Sequence, residues 1–224
     1  MRPKRIILIR HGESEGNSDP SIYEKKPDYA LELSERGLEQ AKEAGKKLKD
    51  LIKEESAFLY VSPFWRTWRT YEQIAISFDS GQLRHIEEPR LREQEWGHLR
   101  SQENKKKIDK ERDEYGPFYY RIPDGESCAD VYDRVSDFFG TLHRDFAKED
   151  FPENAVIITH GMTLRLFLMR WYHWSVEKFE SYGNPENCQI VVLERNESDK
   201  FDLKSELRQH SVKHIYKMNN IIGQ

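Results

Sequence analysis

A chain of 224 residues is long enough for one α/β domain with a full core and too short for two large ones, so a single domain over 1–224 is expected, with 200–224 a polar tail of unassigned role. Its 36 basic and 40 acidic side chains leave a net charge of −4 and are intermixed throughout, which argues against nucleic acid as a partner, while the 37% of apolar residues gather into runs that argue against disorder. Cys128 and Cys188 lie far apart, and no apolar stretch approaches a membrane span, so the chain reads as a cytoplasmic protein without a disulfide framework, a thiolate metal site or a membrane partner.

In chain order, Ile6 to Ile9 make a β-branched run of strand length, and Gly12 lets the backbone turn sharply at His11. Ser18 to Glu32, broken by Pro20, Pro27 and Asp28, reads as a loop whose tip reaches a pocket mouth. Ser34 is placed to cap a helix whose apolar face is Leu38, Ala41, Ala44, Leu48, Leu51 and Ile52. Ala57 to Ser62 reads as a strand, and after Pro63 comes a helix through Arg66, Trp68, Arg69 and Tyr71. Arg84 to Leu91 is expected to be a third strand, with Glu93 opening the loop that follows, and a charged peripheral helix runs from Gln102 to Tyr115. Ser127 caps a helix with Val131, Val135, Phe138, Phe139 and Leu142 on its buried face, and Asp130 suits its first turn. Asn154 to Thr159 is a strand ending in a second His-Gly pair, His160 and Gly161, before an apolar helix from Leu164 to Trp171. A last strand is expected over Gln189 to Glu194, and the five tryptophans are assigned to core or rim packing.

This alternation predicts a three-layer α/β/α fold with a mostly parallel central sheet, and such sheets bind ligands beyond the carboxyl ends of their strands. Arg10, His11, Arg66, Glu93 and His160 all fall just after predicted strands, with Asn17 close by. Two arginines would repel a metal cation, and no closely spaced ligand pair such as H-x-x-x-H exists, so no metal is expected. The same set suits a phosphoryl group: Arg10, Arg66, Asn17, His160 and the Gly161 amide hold its oxygens, His11 attacks phosphorus, and Glu93 is the general acid.

Four motifs stand in order, R-H-G-E-S-E-G-N at 10–17, S-P-x-x-R-T at 62–67, L-R-E-Q-x-x-G at 91–97 and T-H-G-M-T-L-R at 159–165. Through them the chain resembles the histidine phosphatase superfamily, also called phosphoglycerate mutase-like, from about Arg5 to Glu194. The resemblance implies a phosphoglycerate mutase-like fold, His11 as the phosphorylated nucleophile, Arg10, Arg66 and His160 in the phosphate pocket, Asn17 as a further contact, Glu93 as proton donor, and no metal or other cofactor.

Glycolytic mutases of that family carry a tryptophan where this chain has Gly16, and an E-R-H-Y-G motif where Glu93 is followed by Gln94-Glu95-Trp96. The chain also lacks their paired arginines before His160, so the groups that would retain a bisphosphorylated intermediate are missing and hydrolysis is favoured over transfer. F-x-Y-R-x-P-x-G-E-S at 118–127 and D-V-Y-D-R at 130–134 resemble a mutase-like branch; Tyr119, Tyr120 and Arg121 are candidates to line the pocket mouth, with packing under a loop the alternative for the two tyrosines. The expected activity is a metal-independent phosphomonoesterase on a small phosphate ester or a phosphoprotein. The alternatives are a cofactor-dependent phosphoglycerate mutase and an inactive phospho-ligand-binding module, and self-association into a homo-oligomer is left open.

Overall fold

Ile6 to Ile9 are fully buried and alternate between two hydrophobic cores, Ile6 and Leu8 facing one and Ile7 and Ile9 the other. Successive strand residues point to opposite faces, so an unbroken apolar strand demands cover on both sides. The computed structural model describes residues 2–97 and 102–209. In chain order its elements are β1 (Arg5–Arg10), a one-turn α1 (Glu15–Ser18), α2 (Glu35–Ile52), β2 (Ala57–Val61), α3 (Trp65–Ala75), β3 (Leu83–Glu87), α4 (Gln102–Tyr115), α5 (Cys128–Phe146), β4 (Asn154–Thr159), α6 (Gly161–Tyr172), a short α7 (Val176–Glu180), β5 (Ile190–Arg195) and β6 (Phe201–Leu203).

The strands form one sheet in the order β3-β2-β4-β1-β5-β6. The first four run parallel, while β5 and then β6 add antiparallel to the β1 side. Ala44, Leu48 and Ile52 of α2 and Ile74 of α3 cover the face that carries Ile7, Ile9, Val156 and Ile158. Val131, Val135, Phe138 and Leu142 of α5 and Leu164, Phe167 and Leu168 of α6 cover the other. The result is the expected three-layer α/β/α arrangement.

Several boundaries differ from the sequence reading. Residues 18–32 are not a plain loop: they hold two 3-10 turns, Pro20–Glu24 and Asp28–Ala30, the first capped by the Asp19 carboxylate. The third strand ends at Glu87, because Pro89 has no N–H for a ladder and instead opens a 3-10 turn to Leu91, capped by Glu88. Helix α6 begins at Gly161 and not Leu164, and α7 was not anticipated. The tail contributes β6, which pairs with β5, and a single bridge from Gln209 to Tyr182; residues 210–224 lie outside the described residues. Among the tryptophans, Trp68, Trp171 and Trp174 pack against the two cores, whereas Trp65 stays 46% exposed.

Ser127 caps α5 as expected, in a reciprocal box: its hydroxyl accepts the Asp130 amide while the Asp130 carboxylate accepts the Ser127 amide at 2.7 Å. Ser127→Ala should lower the free energy of unfolding by about 1 kcal/mol, read from urea denaturation at unchanged m-value.

Candidate active site

The parallel register of β1 with β4 sets Arg10 opposite Thr159, so the residues that leave the two strands, His11 and His160, emerge side by side. The His11 amide donates to the Thr159 carbonyl at 3.0 Å, which carries the ladder one step past the strand, and the two imidazoles meet edge to face with centroids 5.1 Å apart. The turn after His11 is close-packed. A Cβ on Gly12 would lie 2.5 Å from the Gly37 carbonyl oxygen, and one on Gly37 would lie 2.0 Å from that of Glu13, so both positions need glycine for the loop to seat on the start of α2.

His11 is buried and holds a defined tautomer. Its Nδ1 lies 2.7 Å from the Gly12 carbonyl, which can only accept, so Nδ1 carries the proton and Nε2 presents a lone pair. Arg66 Nε donates to that lone pair at 3.3 Å. Burial, then the charges of Arg66 and Arg10, push the His11 pKa well below its ordinary value, so the ring is neutral near pH 7.

Arg66 comes from the first turn of α3, with its guanidinium carbon 4.9 Å from the centre of the Phe64 ring. Its Nη1 donates to the Asp28 main-chain carbonyl at 2.6 Å and its Nη2 to the Asp28 carboxylate at 3.2 Å. Arg10 reaches the Pro185 carbonyl through Nη1 at 2.7 Å, while its buried Nε has no partner. His160 Nε2 lies 2.7 Å from the Ser62 hydroxyl, and its buried Nδ1 is unpartnered. Burial, with Arg66 next, also drives the His160 pKa well below the usual imidazole value. Two of the unpartnered buried nitrogens, Arg10 Nε and His160 Nδ1, thus belong to residues at the ends of β1 and β4.

Glu93 lies on the loop beyond β3. Its Oε1 accepts from the Gln94 amide at 3.0 Å and the Thr163 hydroxyl at 3.3 Å. Burial raises the carboxyl pKa, and the nearby positive charge of Arg66 only partly opposes this. The loop is held from behind. Buried Arg134 of α5 donates to the main-chain carbonyls of Arg90 and Glu93 at 2.6 and 3.1 Å and pairs with Glu126, which also receives Arg92 at 2.6 Å. The two motifs at 118–134 therefore act as a bracket for Glu93.

His11, Arg66 and His160 meet through these contacts; Arg10 lies near enough for its charge to act, with that of Arg66, on His11, and both arginines act on Glu93. Asn17 is exposed and joins through Asn187, whose Nδ2 donates to both Asn17 Oδ1 and the His11 carbonyl. Gly161 opens α6 directly after His160, against Asn184. Tyr120 and Arg121 are not brought to this cluster: the Tyr120 hydroxyl donates to Glu111 on α4, and the exposed Arg121 pairs with Asp130 of the α5 cap. Among the described residues no three His, Cys, Asp or Glu side chains form a metal-ligand group. The sequence reading missed Asp28, Asn187, Ser62 and Thr163. The last two sit inside quoted motifs, which is a signal that could have found them; Asp28 and Asn187 are known only by where the chain folds back.

The family profile of the histidine phosphatase superfamily (branch 1) matches residues 6–205. The phosphoglycerate mutase-like protein AT74 of Arabidopsis thaliana is 44% identical, over 91% of this chain and 68% of its own. The broad-range acid phosphatase DET1 of Saccharomyces cerevisiae is 29% identical, over 88% and 87%. Among solved structures, a mycobacterial glucosyl-3-phosphoglycerate phosphatase superposes with a TM-score of 0.71 at 18% identity, over 93% of this chain and 99% of that one, so the fold is shared.

Because a neighbouring cation disfavours a second positive charge, Arg66→Met should move the His11 titration upward, toward but not reaching the free-imidazole value of about 6.5, since burial remains. Histidine side-chain NMR across pH measures the shift directly.

Proposed function

The chain belongs to the histidine phosphatase superfamily, and from that premise we propose that it is a metal-independent phosphomonoesterase that works through a phosphohistidine at His11, with Glu93 as general acid. The observation that carries this reading is the state of His11: a neutral ring with Nδ1 tied to the Gly12 carbonyl and the Nε2 lone pair turned toward Arg66. An arginine that now donates to that lone pair shifts to a phosphoryl oxygen when substrate enters, which frees Nε2 for in-line attack.

In the first half-reaction the Nε2–P bond forms as the P–O ester bond breaks, and the protonated Glu93 carboxyl gives its proton to the departing oxygen, so an alcohol leaves. In the second, Glu93 takes a proton from water as the water oxygen attacks phosphorus; the P–N bond breaks, inorganic phosphate leaves, and both residues return to their starting states. Arg10, Arg66, Asn17 and the Gly161 amide surround the phosphoryl oxygens. Ser62 and His160 Nε2 share a hydrogen bond at 2.7 Å; in this reading Ser62 donates it, which leaves the proton on the otherwise unpartnered Nδ1 as one more donor to the phosphoryl group. The guanidinium groups then supply the charge compensation for which other phosphatases use a metal ion. A small phosphate ester or a phosphoprotein side chain fits this chemistry, in line with the similarity to the broad-range acid phosphatase of Saccharomyces cerevisiae.

The protein should release nitrophenol from p-nitrophenyl phosphate in the presence of EDTA, and His11→Ala should not. A rapid alkaline quench should place labelled phosphorus on His11. Label on another side chain or on none, or phosphoglycerate interconversion that depends on 2,3-bisphosphoglycerate, overturns the reading.

The pH profile of kcat/KM should be a bell. Activity falls at low pH as His11 protonates, below the ordinary imidazole range, and at higher pH as Glu93 loses its proton, above the ordinary carboxylate value of about 4.3. Glu93→Gln should remove the upper limb and cost about 10²- to 10⁴-fold with alkyl phosphates, but less with p-nitrophenyl phosphate, whose leaving group scarcely needs a proton.

A further inference from the structure

We infer that Tyr23 is a further substrate-contacting residue, whose hydroxyl donates a hydrogen bond to the phosphoryl group held at Arg66, and that Gly16 gives it the room to do so. The inference rests on the phosphatase reading of the same pocket.

A Cβ built on Gly16 would lie 2.7 Å from both Cζ and the hydroxyl oxygen of Tyr23, and 2.8 Å from Leu31 Cδ1. The backbone of α1 therefore touches the far end of the phenol ring, and only a residue without a side chain leaves the hydroxyl where it is. The charges of Asp28, Arg66, Glu93 and Arg10 all act on this hydroxyl, those of Asp28 and Arg66 more than those of Glu93 and Arg10. Its ring packs on Gly16, next to Asn17, and its own segment carries the Asp28 that holds Arg66, so the hydroxyl borders the pocket in which the phosphoryl group is proposed to sit. Burial, with Asp28 next, pushes the phenol pKa up to about 12, so the group remains a donor over the working range. Among the described residues the hydroxyl has no hydrogen-bond partner. A protonated phenol in a cationic pocket, with its proton uncommitted, is a ready donor to an anion.

A contact with the phosphoryl group, and not with the ester's other half, has a distinctive consequence. It serves every substrate equally and also serves inorganic phosphate, the product common to all of them.

The test uses the full chain with orthophosphate as the probe, bound by calorimetry so that no turnover is needed, together with kcat/KM for p-nitrophenyl phosphate, phosphoserine and glycerol phosphate. Tyr23→Phe should weaken orthophosphate about tenfold and lower the three kcat/KM values by one common factor. Gly16→Ala should do the same, because the atoms it displaces are the tips of flexible side chains, and it should add little in the Tyr23→Phe background. Unchanged orthophosphate affinity in Tyr23→Phe overturns the inference, as does a loss that varies with the leaving group. If Gly16→Ala does not fold, Tyr23→Phe decides alone. If the unmodified protein binds orthophosphate but cleaves no ester, the phosphatase reading fails while the calorimetry still judges Tyr23.

Discussion

The hydrogen bond from His11 Nδ1 to the carbonyl of its own neighbour, Gly12, is the interaction on which the rest of the pocket depends. It is local, yet it exists only because the backbone after β1 is forced into one path by the carbonyls of Glu13 and Gly37 and by the Thr70 hydroxyl, 3.0 Å from the Gly12 amide. A ring free to flip would place its proton on either nitrogen and would not always turn a lone pair toward Arg66. Burial and two arginines keep the ring neutral; the carbonyl selects which neutral form is present.

Around that ring the fold works by juxtaposition of opposites. The same two arginines that depress the imidazoles would also lower the pKa of Glu93, and they do not prevail there because withdrawal of the carboxyl from water outweighs them. One environment thus keeps a base neutral and raises the pKa of an acid, the pairing that acid-base chemistry on an ester requires. The Arg134–Glu126 bracket has a mechanical part in this, since it fixes the Glu93 main chain through α5, an element with a large buried face.

Much of this was legible in the sequence, for identifiable reasons. The run Ile6 to Ile9, the caps at Ser34 and Ser127 and the strand Asn154 to Thr159 are local signals, and the structure repeats them almost residue for residue. Arg10, His11, Arg66, Glu93 and His160 could be singled out because each follows a strand closely, and parallel strands deliver their ends to one side of a sheet. Two kinds of information were not available. The extended reading of Arg84 to Leu91 weighed composition above the missing donor of Pro89, and β6 is only three residues long, too short for a period to register. Asp28 and Asn187 have no local signature at all; one is delivered by a 3-10 turn and the other by the segment after α7, and only the folded chain sets them beside Arg66 and His11.

The grip of Asp28 on Arg66 has a kinetic meaning. The guanidinium is matched to an internal carboxylate, so in the proposed reaction an arriving phosphate displaces a resident anion and does not fill a bare cation. Such an exchange weakens substrate and product alike. In the proposed reaction the exchange is reversible at each end: Asp28, 38 residues before Arg66 in the chain but beside it in the fold, takes back the guanidinium whenever a phosphate leaves.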